Sequence, residues 1–355
     1  MAKKKKSART TLIRKKPARS VISAASGPAG KVKPAAGLHT NQPMPFDPGL
    51  VQSIRMNRSA VEARAAELGT RRTFKVEAQV AAYLNAIRCI DLTTLAGDDT
   101  PGRVARLCAK ALSPLEPELL AAFNLRSAPP TTAAVCVYPA QVRTAVECLH
   151  GRIPVASVAT GFPSGQTFMK VKLLEIDLAI KAGATEIDVV ISREKVLTAR
   201  WKALYDEIVA YREVCGTRAK LKTILGVGNL ETLTNVAAAS AVAIMAGSDT
   251  IKTSTGFEPT NATIPGGLVM VRQIRRFMDL GLPDHQRVGF KPAGGIRSAK
   301  DSMLWLTLML EELGVDWTKP GLFRIGASGL LTDIERQLSH LAFGRYSNAQ
   351  YHPMS

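Results

Sequence analysis

Eight times between residues 86 and 343, a short apolar run gives way to a longer stretch with apolar residues at helical spacing. The runs are 86–91, 133–137, 155–160, 186–191, 221–225, 250–252, 288–291 and 323–326. The stretches that follow them are 101–112, 141–150, 168–182, 201–214, 230–246, 262–280, 298–313 and 332–343. Strict alternation of this kind forces parallel pairing, because parallel neighbours need a long crossover and that crossover is right-handed. Eight such units in roughly 250 residues match a closed (β/α)8 barrel, the TIM barrel. An open doubly wound sheet would call for Gly-x-Gly-x-x-Gly after its first strand, and none stands there. The expected fold class is therefore α/β, a (β/α)8 barrel forming a single domain over 47–345. Thr100-Pro101 opens the first barrel helix as cap and N1 proline. Ala60-Val61, Ala65, Leu68, Val76, Val80 and Tyr83-Leu84 recur at helical spacing, which adds lead-in helices over about 57–85.

The two ends read differently. The formal net charge is +18, but residues 1–46 hold eleven Lys or Arg and no acid, and without them the rest carries +7. Such a stretch of Lys, Ala, Gly, Pro and Ser cannot build a core, so a disordered basic tail is expected over 1–46. A solvated tail is its first reading, a nuclear signal or nucleic-acid patch its second, an organelle transit peptide its third. Residues 346–355 read as a C-terminal tail. No apolar run is long enough to span a bilayer, so no membrane partner is expected, and the placement expected is cytoplasmic, with the nucleus second. Cys89, Cys108, Cys136, Cys148 and Cys215 are scattered without a Cys-x-x-Cys pair, and the five histidines lack His-Glu-x-x-His spacing. No metal site is expected, and a reducing compartment fits.

In a barrel of this kind chemistry sits where strands end. Strand six ends in Asp249-Thr250-Ile251-Lys252-Thr253-Ser254-Thr255-Gly256. Lysine is depleted in strands and almost never buried without a partner. A snorkelling side chain is the plain reading of Lys252. The chemical reading is that lost hydration disfavours its ammonium form and leaves a nucleophilic amine, as a Schiff-base lysine requires. Lys222 and Lys291 stand on neighbouring strands, and Asp188 is enclosed by Ile187, Val189 and Val190. One buried ion pair would account for Asp188 and one lysine, but not for the other two. As a set, Lys291 keeps Lys252 neutral enough to attack a carbonyl, while Asp188 and bound water move protons. Such a site cleaves or makes carbon–carbon bonds through an imine and enamine, with a covalent Schiff base on Lys252 and no cofactor. Pro292-Ala293-Gly294-Gly295-Ile296-Arg297 follows strand seven and Gly326-Ala327-Ser328-Gly329 follows strand eight. Those two loops commonly hold phosphate on backbone N–H groups and a helix N-terminus. The candidate phosphate-binding residues are Thr255, Gly256, Gly294, Gly295, Gly326 and Ser328.

Five blocks in order carry a family resemblance: Ile90-Asp91-Leu92-Thr93-Thr94-Leu95, Ala134-Val135-Cys136-Val137-Tyr138-Pro139, Glu186-Ile187-Asp188-Val189-Val190, Ile251-Lys252-Thr253-Ser254-Thr255-Gly256 and Gly289-Phe290-Lys291-Pro292-Ala293-Gly294-Gly295. They resemble the deoxyribose-phosphate aldolases, a class I family, over about 86–343. Gly97-Asp98-Asp99-Thr100 and the ending Pro353-Met354-Ser355 are similar to the longer animal-type members. The resemblance implies reversible cleavage of 2-deoxy-D-ribose 5-phosphate to glyceraldehyde 3-phosphate and acetaldehyde, within deoxyribose phosphate and deoxyribonucleotide catabolism. It makes Lys252 the Schiff-base residue, Lys291 the group that perturbs it, and Asp188 the proton-transfer residue. Cys136, Asp91 and Thr93 fall near the sugar carbons, with Lys222 as a further substrate-binding residue. A C-terminal tyrosine relay used by some members would fall to Tyr346 or Tyr351. A homo-oligomer is compatible with it.

Three positions depart from the family pattern. Phe257 stands where members often carry a lysine, Gly329 replaces a hydroxyl residue, and Gly226-Val227-Gly228-Asn229 replaces a Thr-Gly-Glu turn. One charge-assisted contact is worth roughly 1.5–3 kcal/mol, so the loss predicts weaker phosphate binding by about tenfold or more. Two other readings stay open at this point: another lysine aldolase or a transaldolase, and a barrel whose basic tail binds nucleic acid. The tail has no aromatic interleaving to stack bases, which argues against the second.

Overall fold

The computed structural model describes residues 38–71, 76–281, 287–348 and 351–352. The expected tail therefore lies outside the described residues as far as residue 37. Its last part does not behave as a tail. Asn41 is buried, its N–H donates to Asp249 Oδ1 at 2.7 Å, and its side-chain amide donates to Ser248 O at 3.0 Å. Met44 N–H donates to Met245 O and the Tyr205 hydroxyl donates to Met44 O. Gly247, at φ +87°, lies where an added Cβ would meet Pro43 N at 2.8 Å, so the glycine lets this segment cross closely. The boundary expected at residue 46 thus moves to about residue 38, because backbone and amide hydrogen bonds dock these residues while Met44 and Phe46 pack against the core. Arg212 supports the dock from below, donating to Asp249 Oδ2 at 2.6 Å.

Among the described residues three helices precede the first strand: α1 (Pro48–Gln52), α2 (Arg58–Thr70) and α3 (Val76–Cys89). Asp47 and Asn57 cap the first two through their side chains. The α3 helix runs directly into β1 (Ile90–Thr93), so residues 86–89, expected in the first strand, are helical. Ala86, Ile87, Cys89 and Ile90 are fully buried around exposed Arg88, and so short a run does not separate a helical period from a strand's.

The remaining units follow the expected alternation. They are α4 (Pro101–Leu112), α5 (Pro117–Ala122), β2 (Ala134–Val137), α6 (Val142–Leu149), β3 (Val155–Ala159), α7 (Met169–Lys181), β4 (Glu186–Val190), α8 (Arg193–Leu197), α9 (Trp201–Cys215), β5 (Lys220–Ile224), α10 (Leu233–Met245), β6 (Thr250–Lys252), α11 (Ile264–Asp279), β7 (Gly289–Lys291), α12 (Ala299–Leu313), β8 (Ile325–Ala327) and α13 (Leu330–Phe343). Thr100 caps α4 as expected, and Ser298 with Asp301 forms a capping box on α12. The short helices α1, α5 and α8 were too brief to leave a periodic signal.

All eight strands are parallel, ordered β7-β6-β5-β4-β3-β2-β1-β8. The ring closes at the β7–β8 seam through bridges Phe290–Phe323 and Ala293–Gly326 instead of a regular ladder. Phe290 donates to Leu322 O, Arg324 to Phe290 O and Gly326 to Pro292 O. At the other end α13 holds the chain terminus: Thr332 Oγ1 donates to His352 O, and buried His352 meets the Ser347 hydroxyl at 2.6 Å. The expected C-terminal tail is thus docked at Ser347 and His352. Tyr346 stacks on His340, and both Tyr346 and Tyr351 are exposed.

Candidate active site

Register brings the ionisable residues together. Asp188 on β4 pairs with Lys222 on β5, and Lys252 on β6 pairs with Lys291 on β7. Side chains two apart on a strand share a face, so Glu186 points the same way as Asp188, one layer deeper. Asp91, Glu186, Asp188, Lys222, Lys252 and Lys291 are all buried. Arg324, just before β8, enters the same cluster and donates to Asp91 Oδ1 at 2.6 Å and Glu186 Oε1 at 2.8 Å. Neither Glu186 nor Arg324 was singled out from sequence. The first could have been found by its two-residue spacing from Asp188. The second stands in the run 323–326 expected as strand eight, where a charged residue between Phe323 and Ile325 was the available signal.

The three lysines are not equivalent. Lys222 faces three carboxylates: Asp91 at 2.9 Å, Asp188 at 3.2 Å, and Glu186. Lys291 faces two, Asp91 at 2.5 Å and Asp188 at 2.8 Å. Lys252 faces only Asp188, at 2.8 Å, and shares that oxygen with Lys291. Burial would lower all three lysines. At Lys222 the three carboxylates overturn this and hold it well above its ordinary value, and Asp188 and Asp91 raise Lys291 above its own. At Lys252 burial wins: Asp188 opposes it, the Lys291 charge adds to it, and the amine lies below the usual lysine range. Lys291, expected to perturb Lys252, lowers it less than desolvation does.

The carboxylates complete the picture. Burial alone would raise Asp91 and Asp188, but the surrounding cations outweigh it and hold both well below the usual carboxylate range. Glu186 is lowered in the same way, chiefly by Arg324 and Lys222 against its burial. With every group charged, four cations face three carboxylates. A neutral Lys252 balances the cluster.

Above this cluster opens a cavity of about 640 Å³, lined by Lys252, Thr93, Phe257 and Arg297 among others. All six expected phosphate residues, Thr255, Gly256, Gly294, Gly295, Gly326 and Ser328, line it too. Of the buried charged residues only Lys252 reaches it. Asp91 and Lys222, expected beside the substrate, lie below Lys252 in ion pairs. Cys136, also expected beside the substrate, packs with Ala156 and Val158 and is not a lining residue; burial with the Asp188 charge raises its thiol. Neither Tyr346 nor Tyr351 is among the lining residues.

Two of the phosphate candidates carry a different duty. Glu258 takes the N–H of Thr255 at 3.0 Å, its hydroxyl at 2.7 Å, and the N–H of Gly256 at 3.2 Å. Their donors are already occupied. Gly326 is small for its neighbours' sake, since an added Cβ would lie 2.8 Å from Ala293 Cβ and 3.3 Å from Lys291 Cε. Gly294 and Gly295, at φ +84° and +82°, need glycine's freedom to turn the β7 loop. Arg297 brings a cation to the cavity on that same loop. Phe257 forms an edge-to-face contact with Phe162, which makes another with Tyr138.

Comparison with known proteins decides the family. A model of the DeoC/LacD family aldolases matches residues 85–308. The chain belongs to the DeoC/LacD family of aldolases. The deoxyribose-phosphate aldolase of Bos taurus is 57% identical over 315 residues, covering 87% of this chain and 97% of its own. That of Homo sapiens is 56% identical over 320 residues, covering 89% and 99%. Among solved structures, the tetrameric deoxyribose phosphate aldolase from Aeropyrum pernix superposes with a TM-score of 0.52 at 24% identity, covering 75% of this chain and 99% of that one. A Toxoplasma gondii structure gives 0.61 at 21% identity, covering 78% and 99%. At these identities the structures support the DeoC/LacD barrel fold alone. The family match spans β1 through most of α12, which includes every lysine of the cluster.

Proposed function

We propose that the protein is a class I deoxyribose-phosphate aldolase whose imine forms on Lys252. The observation that carries this reading is the asymmetry among the lysines: one faces a single carboxylate, has a lowered pKa, and opens onto the cavity. Relatives more than half identical over nearly their full length carry the aldolase name.

The neutral Lys252 amine attacks the C1 aldehyde of open-chain 2-deoxy-D-ribose 5-phosphate, and the carbinolamine loses water to give an iminium. Loss of the C3 hydroxyl proton breaks the C2–C3 bond, releases glyceraldehyde 3-phosphate, and leaves its electron pair in the enamine of acetaldehyde. Protonation at C2 and hydrolysis free acetaldehyde and restore the amine. Asp188, held strongly ionised, is a weak base. Its task is to face the iminium cation and to pass protons through water, because the charge that attack requires to be absent returns in the intermediate. Lys291 stays protonated and fixes Asp188. The phosphate is taken by Arg297, the Gly294-Gly295 turn and the Ser328-Gly329 start of α13, which stand opposite the loop where Phe257 replaces a cation.

The test is borohydride trapping with deoxyribose 5-phosphate and mass mapping. We expect a stable adduct on Lys252 that is absent from Lys252→Met. A folded protein that traps nothing overturns the proposal, and transfer of a dihydroxyacetone unit without acetaldehyde release points to a transaldolase instead.

A further inference from the structure

We propose that Arg193 and Glu258 form a positioning pair that sets the β6 loop beside Lys252 and so determines how tightly the substrate is held. This rests on the aldolase reading above. Arg193 begins α8, immediately after the strand that carries Asp188, and its guanidinium ties four loops at the barrel mouth. Nη2 donates to Pro163 O and Ser164 O, both at 2.8 Å, in the loop after β3. Nη1 donates to Asn229 Oδ1 at 2.6 Å, in the loop after β5. The same Nη1 faces Glu258 Oε1 at 3.6 Å, in the loop after β6. Arg193 itself belongs to the loop after β4.

Glu258 passes that anchorage inward. Its buried carboxylate takes up Thr255 N–H, Thr255 Oγ1 and Gly256 N–H, three and four residues beyond Lys252 in a loop that walls the cavity. The pair crosses Gly226, where an added Cβ would come within 2.9 Å of Arg193 Cδ and 3.3 Å of Glu258 Oε1. This explains the Gly226-Val227-Gly228-Asn229 sequence at the end of β5: glycine makes room for the pair and Asn229 holds it. A planar fork that reaches two carbonyls, an amide oxygen and a carboxylate at once is a task for arginine and not lysine.

The experiment compares wild type with Arg193→Ala, Arg193→Lys, Glu258→Gln and the Arg193→Ala/Glu258→Gln double variant. It reads KM and kcat for deoxyribose 5-phosphate, and amide exchange at Thr255 and Gly256. Expected are a tenfold or larger rise in KM for each alanine or glutamine variant, with kcat changed less than threefold. The double variant should cost little more than either single one, since the two residues act as one unit. Arg193→Lys should recover part of the loss. Amide exchange at Thr255 and Gly256 should quicken in Arg193→Ala and Glu258→Gln. Unchanged KM with activity falling in step with the folded fraction, or additive effects in the double variant, overturns the pair as a positioning device. Inactive wild type sinks the aldolase reading instead, and amide exchange then decides the pair alone: no change at Thr255 and Gly256 removes it.

Discussion

The lysine proposed as nucleophile differs from its neighbours by being buried with the fewest partners. Carboxylates crowd Lys222 and Lys291 and raise them, whereas burial lowers Lys252, whose one carboxylate, Asp188, is shared with Lys291. The rate of imine formation should therefore rise with pH as Lys252 sheds its proton and level off below 10.5, the ordinary lysine value. Lys291→Met removes a charge that lowers Lys252 and frees Asp188 to hold it, so the plateau should move to higher pH. Single-turnover trapping across pH measures both, and a downward move would contradict the electrostatic account. The residues that could be read from sequence were those that broke a local rule: lysines in strands and an aspartate inside an apolar run. Glu186 and Arg324 broke the same rule inside their strand runs but found their partners only in the closed ring, and Glu258, in a loop, broke none.

At the scale of elements, the alternation of periods was legible and the junctions were not. The α3–β1 boundary hid in a junction with no turn, and residues 38–46 looked like tail because their two docking apolar side chains, Met44 and Phe46, form no period and the rest of the docking is made by backbone and amide groups. Asn41→Ala should leave Ser248 O short of a donor at a cost of about 1–3 kcal/mol, or several degrees in Tm. A chain starting at residue 47 should melt lower still than one starting at residue 38, and equal melting would show the strap to be idle. On α13, burial pushes Glu335 up to about 7 against the pull of Lys110. Between its reference value of 4.5 and about 7 the folded chain keeps a proton that the unfolded chain gives up, so this contribution to stability falls as pH rises through that window. Comparing Tm at pH 5 and 7.5 in wild type and Glu335→Gln checks the sign: the variant should lose that slope.

For the whole molecule, the ion cluster spans β1, β4, β5, β6 and β7 and reaches Arg324 before β8, so it braces the ring from inside. Its carboxylates have depressed values, so their stabilisation is present above the unfolded range of about 4 and disappears as pH falls below it. Asp91→Asn, which leaves Arg324 and Lys222 short of a counter-charge, should cost about 3–5 kcal/mol by chemical denaturation. The β7–β8 seam remains the place where the ring has fewest rungs, and the two loops proposed to grip phosphate hang from its two sides. A dianion held by both is then a cross-tie over the one weak joint. Substrate in hundredfold excess over its dissociation constant adds about 2.7 kcal/mol by mass action alone. The staves of this cask are cut to close, and a phosphate gripped as proposed would be its last hoop.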